Sequence, residues 1–175
     1  DRRGDFRIPF LSGMSILGAS DHEERSYLEL VDALMQFGAH PKRDMHALWR
    51  RIIFTILVTN VDDHMRNHGF LYQGTNGWTL SPAYDINPVP ADIAPRNLRS
   101  SINLNDNSAT LANALNVHEY FGLSYSEAKR IIVEVSSATS GWSSTALKFG
   151  LGSDAIDRME TAFVHEESIA AEEIV

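Results

Sequence analysis

Apolar residues recur at helical spacing in two blocks of the first sixty positions. Tyr27, Leu28, Leu30, Val31, Leu34 and Met35 fall on one broad face. Met45, Leu48, Trp49, Ile52, Ile53, Ile56 and Leu57 fall on another. The first block predicts a helix opened at Ser20. There Ser20-x-x-Glu23 has the form of a capping box, and Asp21, Glu23 and Glu24 put negative charge at the positive end of the helix dipole. Gly38 ends it. The second block predicts a helix from Pro41 and Asp44 to about Thr59. Residues 52–58 are also rich in β-formers, but a periodic segment of about sixteen residues selects helix over strand.

The pattern then changes. Residues 69–73 and 78–81 are β-rich and flank Gly74-Thr-Asn-Gly77, and Asn-Gly between such runs predicts a hairpin. Upstream, residues 5–11 predict a short strand that Pro9 confines to a sheet edge. Four of the six prolines lie within residues 82–95, which predicts irregular chain. Residues 100–105 predict a short strand, followed by a turn at Asn103, Asn105, Asp106 and Asn107. That turn lacks the Gly and distal Glu of a calcium loop. Helices are predicted at 109–115, at 117–121, from Ser124-x-x-Glu127 to about Ala138, at 142–149, and from Asp154 through Ile156, Met159 and Phe163 toward Ile169. The predicted class is mainly α with one β-hairpin (α+β), in a single lobe over residues 1–175.

Composition narrows the function classes. The 175 residues are 43% hydrophobic and 22% charged, as in globular domains. No apolar run approaches the roughly 18 residues of a membrane span. Cysteine is absent, which excludes disulfides and thiolate chemistry and suits a cytoplasmic protein. The net charge of −8 gives no general attraction to nucleic acid. Lys42, Arg43, Arg50 and Arg51 read as solvated surface, as do Arg96 and Arg99, unless the last two meet an acidic or phosphate group.

The richest chemistry lies between the second helix and the hairpin: Asn60, Asp62, Asp63, His64, Arg66, Asn67 and His68. Asp62 and Asn67 stand as Asp-x-x-x-x-Asn, and Asp85 follows the hairpin in Tyr-Asp-Ile-Asn-Pro. Phosphoryl transfer uses one Asp to accept the substrate hydroxyl's proton and an Asn a few residues on to hold Mg²⁺. A second Asp bridges metal and nucleotide phosphates. An equally open reading makes Asp62 a turn cap, Asn67 the loop's end and Asp85 an Asx-turn. His64 and His68, at i and i+4, would share a helix face as zinc ligands do. The β-like run after Gly69 argues instead for a loop, which His64, two residues after Asp62, would order by hydrogen bonds.

Val58-Thr-Asn-Val-Asp-Asp-His-Met-Arg-Asn-His-Gly-Phe-Leu71 and Gly77-Trp-Thr-Leu-Ser-Pro-Ala-Tyr-Asp-Ile-Asn-Pro88 closely resemble the C-terminal half of HipA-like serine/threonine kinases, the toxins of bacterial type II toxin–antitoxin pairs. The resemblance extends to Asp1-Arg-Arg3 and Arg7-Ile-Pro-Phe-Leu-Ser12. It implies a protein kinase that uses ATP and Mg²⁺, with Asp62 catalytic and Asn67 and Asp85 binding metal. By sequence alone the adjacent Asp62 and Asp63 are interchangeable. The resemblance also implies a protein substrate, an aminoacyl-tRNA synthetase among those of the family, and a DNA-binding antitoxin as partner. The family's phosphate loop and nucleotide-pairing Lys lie N-terminal to the matched stretch, so this chain is expected to be a fragment lacking that clamp. Two other readings are a catalytically incompetent helical module that binds an antitoxin, and a metal-dependent hydrolase built on Asp62, Asp63, His64 and Asp85.

Overall fold

The lobe is built around one long helix. In a computed structural model, which describes residues 2–21, 23–104 and 106–174, α1 spans Gly13–Ile16, α2 Tyr27–Phe37 and α3 Pro41–Leu57. Proline at the first position of α3 suits a helix start, where its missing N–H is not needed. Trp49, Ile52, Ile53 and Ile56 of α3 are fully buried. Burying such side chains contributes about 1.5–3 kcal/mol each. Helix therefore prevails over strand in residues 52–57, as the periodicity predicts.

Against α3 pack α2 on one side and α5, Tyr125–Thr139, on another. The short α4, Leu111–Leu115, and a 3-10 turn at His118–Phe121 close the end of the core. There Phe121 lies 5.3 Å from Trp49, centroid to centroid. α5 opens with the predicted Ser124–Glu127 capping box. The exposed α6, Trp142–Lys148, and α7, Ser153–Phe163, are joined by Trp142 stacked on Phe163 at 4.4 Å.

A three-stranded antiparallel sheet packs against α2 and α3. Its strands are β3, Phe10–Ser12, β4, Gly69–Tyr72, and β5, Trp78–Leu80, in the order β3-β4-β5. A separate ribbon pairs β1, Arg2–Arg3, with β2, Phe6–Arg7. The hairpin β4–β5 is the predicted one, and the strand after Pro9 takes the predicted edge. Buried Asp44 of α3 holds the hairpin, accepting from Thr79 Oγ1 at 2.7 Å and Leu80 N at 3.0 Å.

Several boundaries differ from the sequence expectation. α2 opens at Ser26, not Ser20. Ser26 forms the capping box with Glu29, and the chain before it is held extended by Tyr27 N to Ser101 O and Ser101 N to Arg25 O. Glu23 pairs with Arg25, which also pairs with Glu29. The strand expected at 100–105 is reduced to that single bridge at Ser101, and Asn105 lies outside the described residues. Met35 is exposed although it continues the apolar stripe.

The last predicted helix is two. α7 ends and α8, Glu166–Glu172, begins at His165. The His165 ring accepts from Ser168 N at Nδ1, 3.3 Å, and donates from Nε2 to Leu57 O, 3.2 Å. Accepting at Nδ1 requires the neutral ring, with its proton on Nε2. Burial, and then the Arg96 guanidinium, push its pKa from 6.5 down to about 4.

Two stability predictions follow from these caps. Ser26→Ala should lower the unfolding free energy by about 1 kcal/mol, while Ser20→Ala should change it little; urea titration of both checks the helix start. For His165, the unfolded chain takes up a proton below pH 6.5 that the folded chain refuses until about pH 4. Stability should therefore fall on acidification across that window. His165→Gln should flatten this part of the melting-temperature profile.

Candidate functional site

The site begins where α3 ends. Thr59 adopts a left-handed conformation, φ 55°, the place usually taken by Gly after a helix. Asn60 N then bonds back to Thr55 O at 2.9 Å and Thr59 N to Ile56 O at 3.4 Å, the paired bonds of a Schellman turn. Arg96 donates to Thr59 Oγ1 and to Ile56 O, the latter at 2.9 Å. This half-buried arginine is thus a cap on α3 and not the solvated surface expected of it.

The two adjacent acids then part. Asp63 is buried, 4% exposed, and its Oδ2 accepts from Tyr27 Oη at 2.7 Å, His68 Nε2 at 3.2 Å and Thr55 Oγ1 at 3.5 Å. Burial raises the pKa of Asp63, but the His68 charge and the bonds from His68 and Tyr27 outweigh it and hold the carboxyl below its ordinary range. Burial and the Asp63 charge push the Tyr27 phenol well above its ordinary value, so it stays a donor. Asp62 points the other way. Its side chain is 76% exposed, with Arg99 Nε 3.9 Å from Oδ1.

Asn67 closes a 3-10 turn, Met65–Asn67, pinned by buried Met65. It is 7% exposed, and Nδ2 donates to Asp62 O in a long, 3.4 Å bond. That leaves Oδ1 as the open acceptor. Asp85, the third predicted residue, also has a left-handed backbone, φ 55°, and is exposed. Its Oδ1 accepts from Asn87 Nδ2 at 2.8 Å, and it bonds neither Asp62 nor Asn67. Its segment is nevertheless stapled across the loop at both ends. Tyr84 Oη donates to Arg66 O at 2.6 Å, and Val89 N donates to Thr59 O at 3.1 Å.

Beside Arg99 and His64 opens a polar groove of about 710 Å³, also lined by Arg25, Arg66 and Ser101. Among the described residues, no three His, Asp or Glu side chains gather into a metal-sized cluster. Asp63 is turned inward, away from Asp62, so the acids and His64 do not form the hydrolase site considered from sequence. His68, and not the His64 expected, orders the loop by bonding Asp63, while His64 Nδ1 is buried without a hydrogen-bond partner among the described residues.

Sequence reasoning missed Tyr27 and Asp44 as site supports. Tyr27 reads only as core from its periodicity, and nothing local links it to residue 63.

A sequence profile of the HipA-like C-terminal domain matches residues 1–142. The chain belongs to the HipA-like C-terminal domain family. It resembles HipA of Shewanella oneidensis MR-1, solved with HipB and operator DNA, with a TM-score of 0.75 at 16% identity over 95% of this chain and 43% of that one. It is 30% identical over 77 residues to a Haemophilus influenzae strain Rd protein named as a candidate kinase; the match covers 42% of this chain and 22% of the relative. The matched parts cover less than half the length of either. No helix among the described residues is long and apolar enough to cross a membrane.

The supports of the loop can be tested directly. A Cβ on Gly13 would lie 2.7 Å from Met65 O, and Gly13 N donates to His68 O at 2.6 Å. Gly13→Ala should therefore cost about 1–3 kcal/mol, read by denaturant unfolding, whereas Gly18→Ala, with open space around it, should lack the clash component.

Proposed function

We propose that this lobe carries the base and metal ligands of an ATP-dependent kinase that phosphorylates a Ser or Thr hydroxyl of a protein. The observation that carries the reading is the parting of Asp62 and Asp63: one acid is consumed inside, and the other is exposed on the loop, near Arg99 and beside an oriented Asn. Asp62 orients the hydroxyl and takes its proton as the hydroxyl oxygen bonds the γ-phosphorus and the bond to the leaving ADP oxygen breaks. The donor set of Asn67 Oδ1 and the Asp85 carboxylate, hard oxygens from two segments, fits Mg²⁺. The ion, when bound, neutralises phosphate charge. Asn67 is oriented by Asp62 O, and Asp85 is held over the loop by the Tyr84 and Val89 bonds.

A HipB-like, DNA-binding antitoxin as partner and a cytoplasmic site of action belong to the same proposal. They are supported by the family and by the HipB complex of the Shewanella protein. An aminoacyl-tRNA synthetase as substrate rests on family resemblance.

In the full-length protein, Asp62→Ala should lower kcat for phosphate transfer by about 10²–10⁴-fold. The melting temperature should hold, because the side chain is exposed. Phosphate transfer from radiolabelled ATP is the measurement. Wild-type activity in the variant would remove Asp62 from the role of base.

A further inference from the structure

The buried Asp63 carboxylate does more than fill the core. Its Oδ2 collects donors from three places in the chain: Tyr27 at the start of α2, Thr55 in the last turn of α3, and His68 at the edge of β4. Its own carbonyl accepts from Ser100 Oγ at 2.7 Å. Residue 63 is therefore fixed from several directions. The peptide plane between residues 62 and 63 contains Asp62 O, the atom to which Asn67 Nδ2 is bonded. Any tilt of Asp63 turns that plane. It would move the Asn67 amide and swing the Asp62 side chain together.

We propose that Asp63 is a positioning residue: gripped by Tyr27, Thr55 and His68, it sets both the direction of Asp62 and the placement of the Asn67 amide. The inference rests on the assignment of Asp62 as base. Its physical basis is that hydrogen bonds in a water-poor setting hold direction tightly, whereas the exposed Asp62 has only a 3.9 Å ion pair of its own. Transfer chemistry is sensitive to such placement; a displacement of about 1 Å can cost 10²-fold in rate.

The test uses the full-length protein, with Asp63→Asn, Tyr27→Phe and the double variant, assayed well below their melting temperatures. Asp63→Asn should lower kcat about 10²-fold and leave the KM for ATP within about twofold, since no proposed ATP contact is removed. Tyr27→Phe, which keeps the ring and loses one hydroxyl, should lower kcat about 10-fold, and the double variant should fall short of the product of the two effects. Lowered melting temperatures with wild-type kcat in both variants would show a purely structural role and overturn the proposal. If Asp63→Asn does not fold, Tyr27→Phe decides by the same criterion. Wild-type protein that transfers no phosphate, or an active Asp62→Ala, would overturn the base assignment and this inference with it. An inactive Asp62→Ala beside an unaffected kcat in Tyr27→Phe and Asp63→Asn would overturn the inference alone.

Discussion

A helix buried on most sides must end inside the protein, where its last carbonyls have no water to accept from. The architecture of this lobe follows from how α3 meets that constraint. Thr55 O and Ile56 O are taken by the turn through Thr59, Ile56 O also by Arg96, and Leu57 O by His165. Each partner brings a distant segment to one spot: the irregular chain after the hairpin through Arg96, and α8 through His165. The β-branched Thr59 in a left-handed conformation costs on the order of 1–3 kcal/mol. Its Oγ1 offsets part of that by donating to Ala162 O at 2.9 Å and accepting from Arg96.

That sharp ending has a functional side. It lets a long rigid helix deliver two neighbouring acids with opposite fates. The turn after α3 leaves Asp63 facing in and Asp62 facing out, and the inward acid ties the loop to α2, α3 and β4. Asp44 does similar work at the opposite end of α3, holding the hairpin that carries the chain from Asn67 to Asp85. The helix thus supports the proposed site from both ends with buried, satisfied carboxylates. Two non-glycine residues with positive φ, Thr59 and Asp85, flank the region. Such backbone persists only where surrounding bonds over-determine it, and here the Val89–Thr59 and Tyr84–Arg66 bonds lie on either side.

Much of this was legible in the sequence because it is local. The periodicity of residues 45–57, the Asn-Gly hairpin and the Ser124 capping box each need only a few neighbouring residues. The start of α2 differs from the sequence expectation because Ser26–Glu29, not Ser20–Glu23, forms its capping box, with the chain there held by Ser101, seventy-five residues from Ser26. Arg96 as a helix cap, Tyr27 as a partner of Asp63 and the break at His165 are long-range in the same way. The spacing of Asp62 and Asn67 was readable, but which of the two acids faces solvent was not. That choice depends on donors contributed by Tyr27 and His68, which the chain brings together only on folding.

The most direct test of the proposed chemistry is a crystal structure of the full-length protein with Mg²⁺ and a non-hydrolysable ATP analogue. The account predicts one magnesium ion about 2.0–2.1 Å from both Asn67 Oδ1 and an Asp85 oxygen, with the Asp62 carboxylate facing the γ-phosphate. A nucleotide-bound metal that leaves Asp85 on Asn87, or a γ-phosphate remote from Asp62, would contradict it.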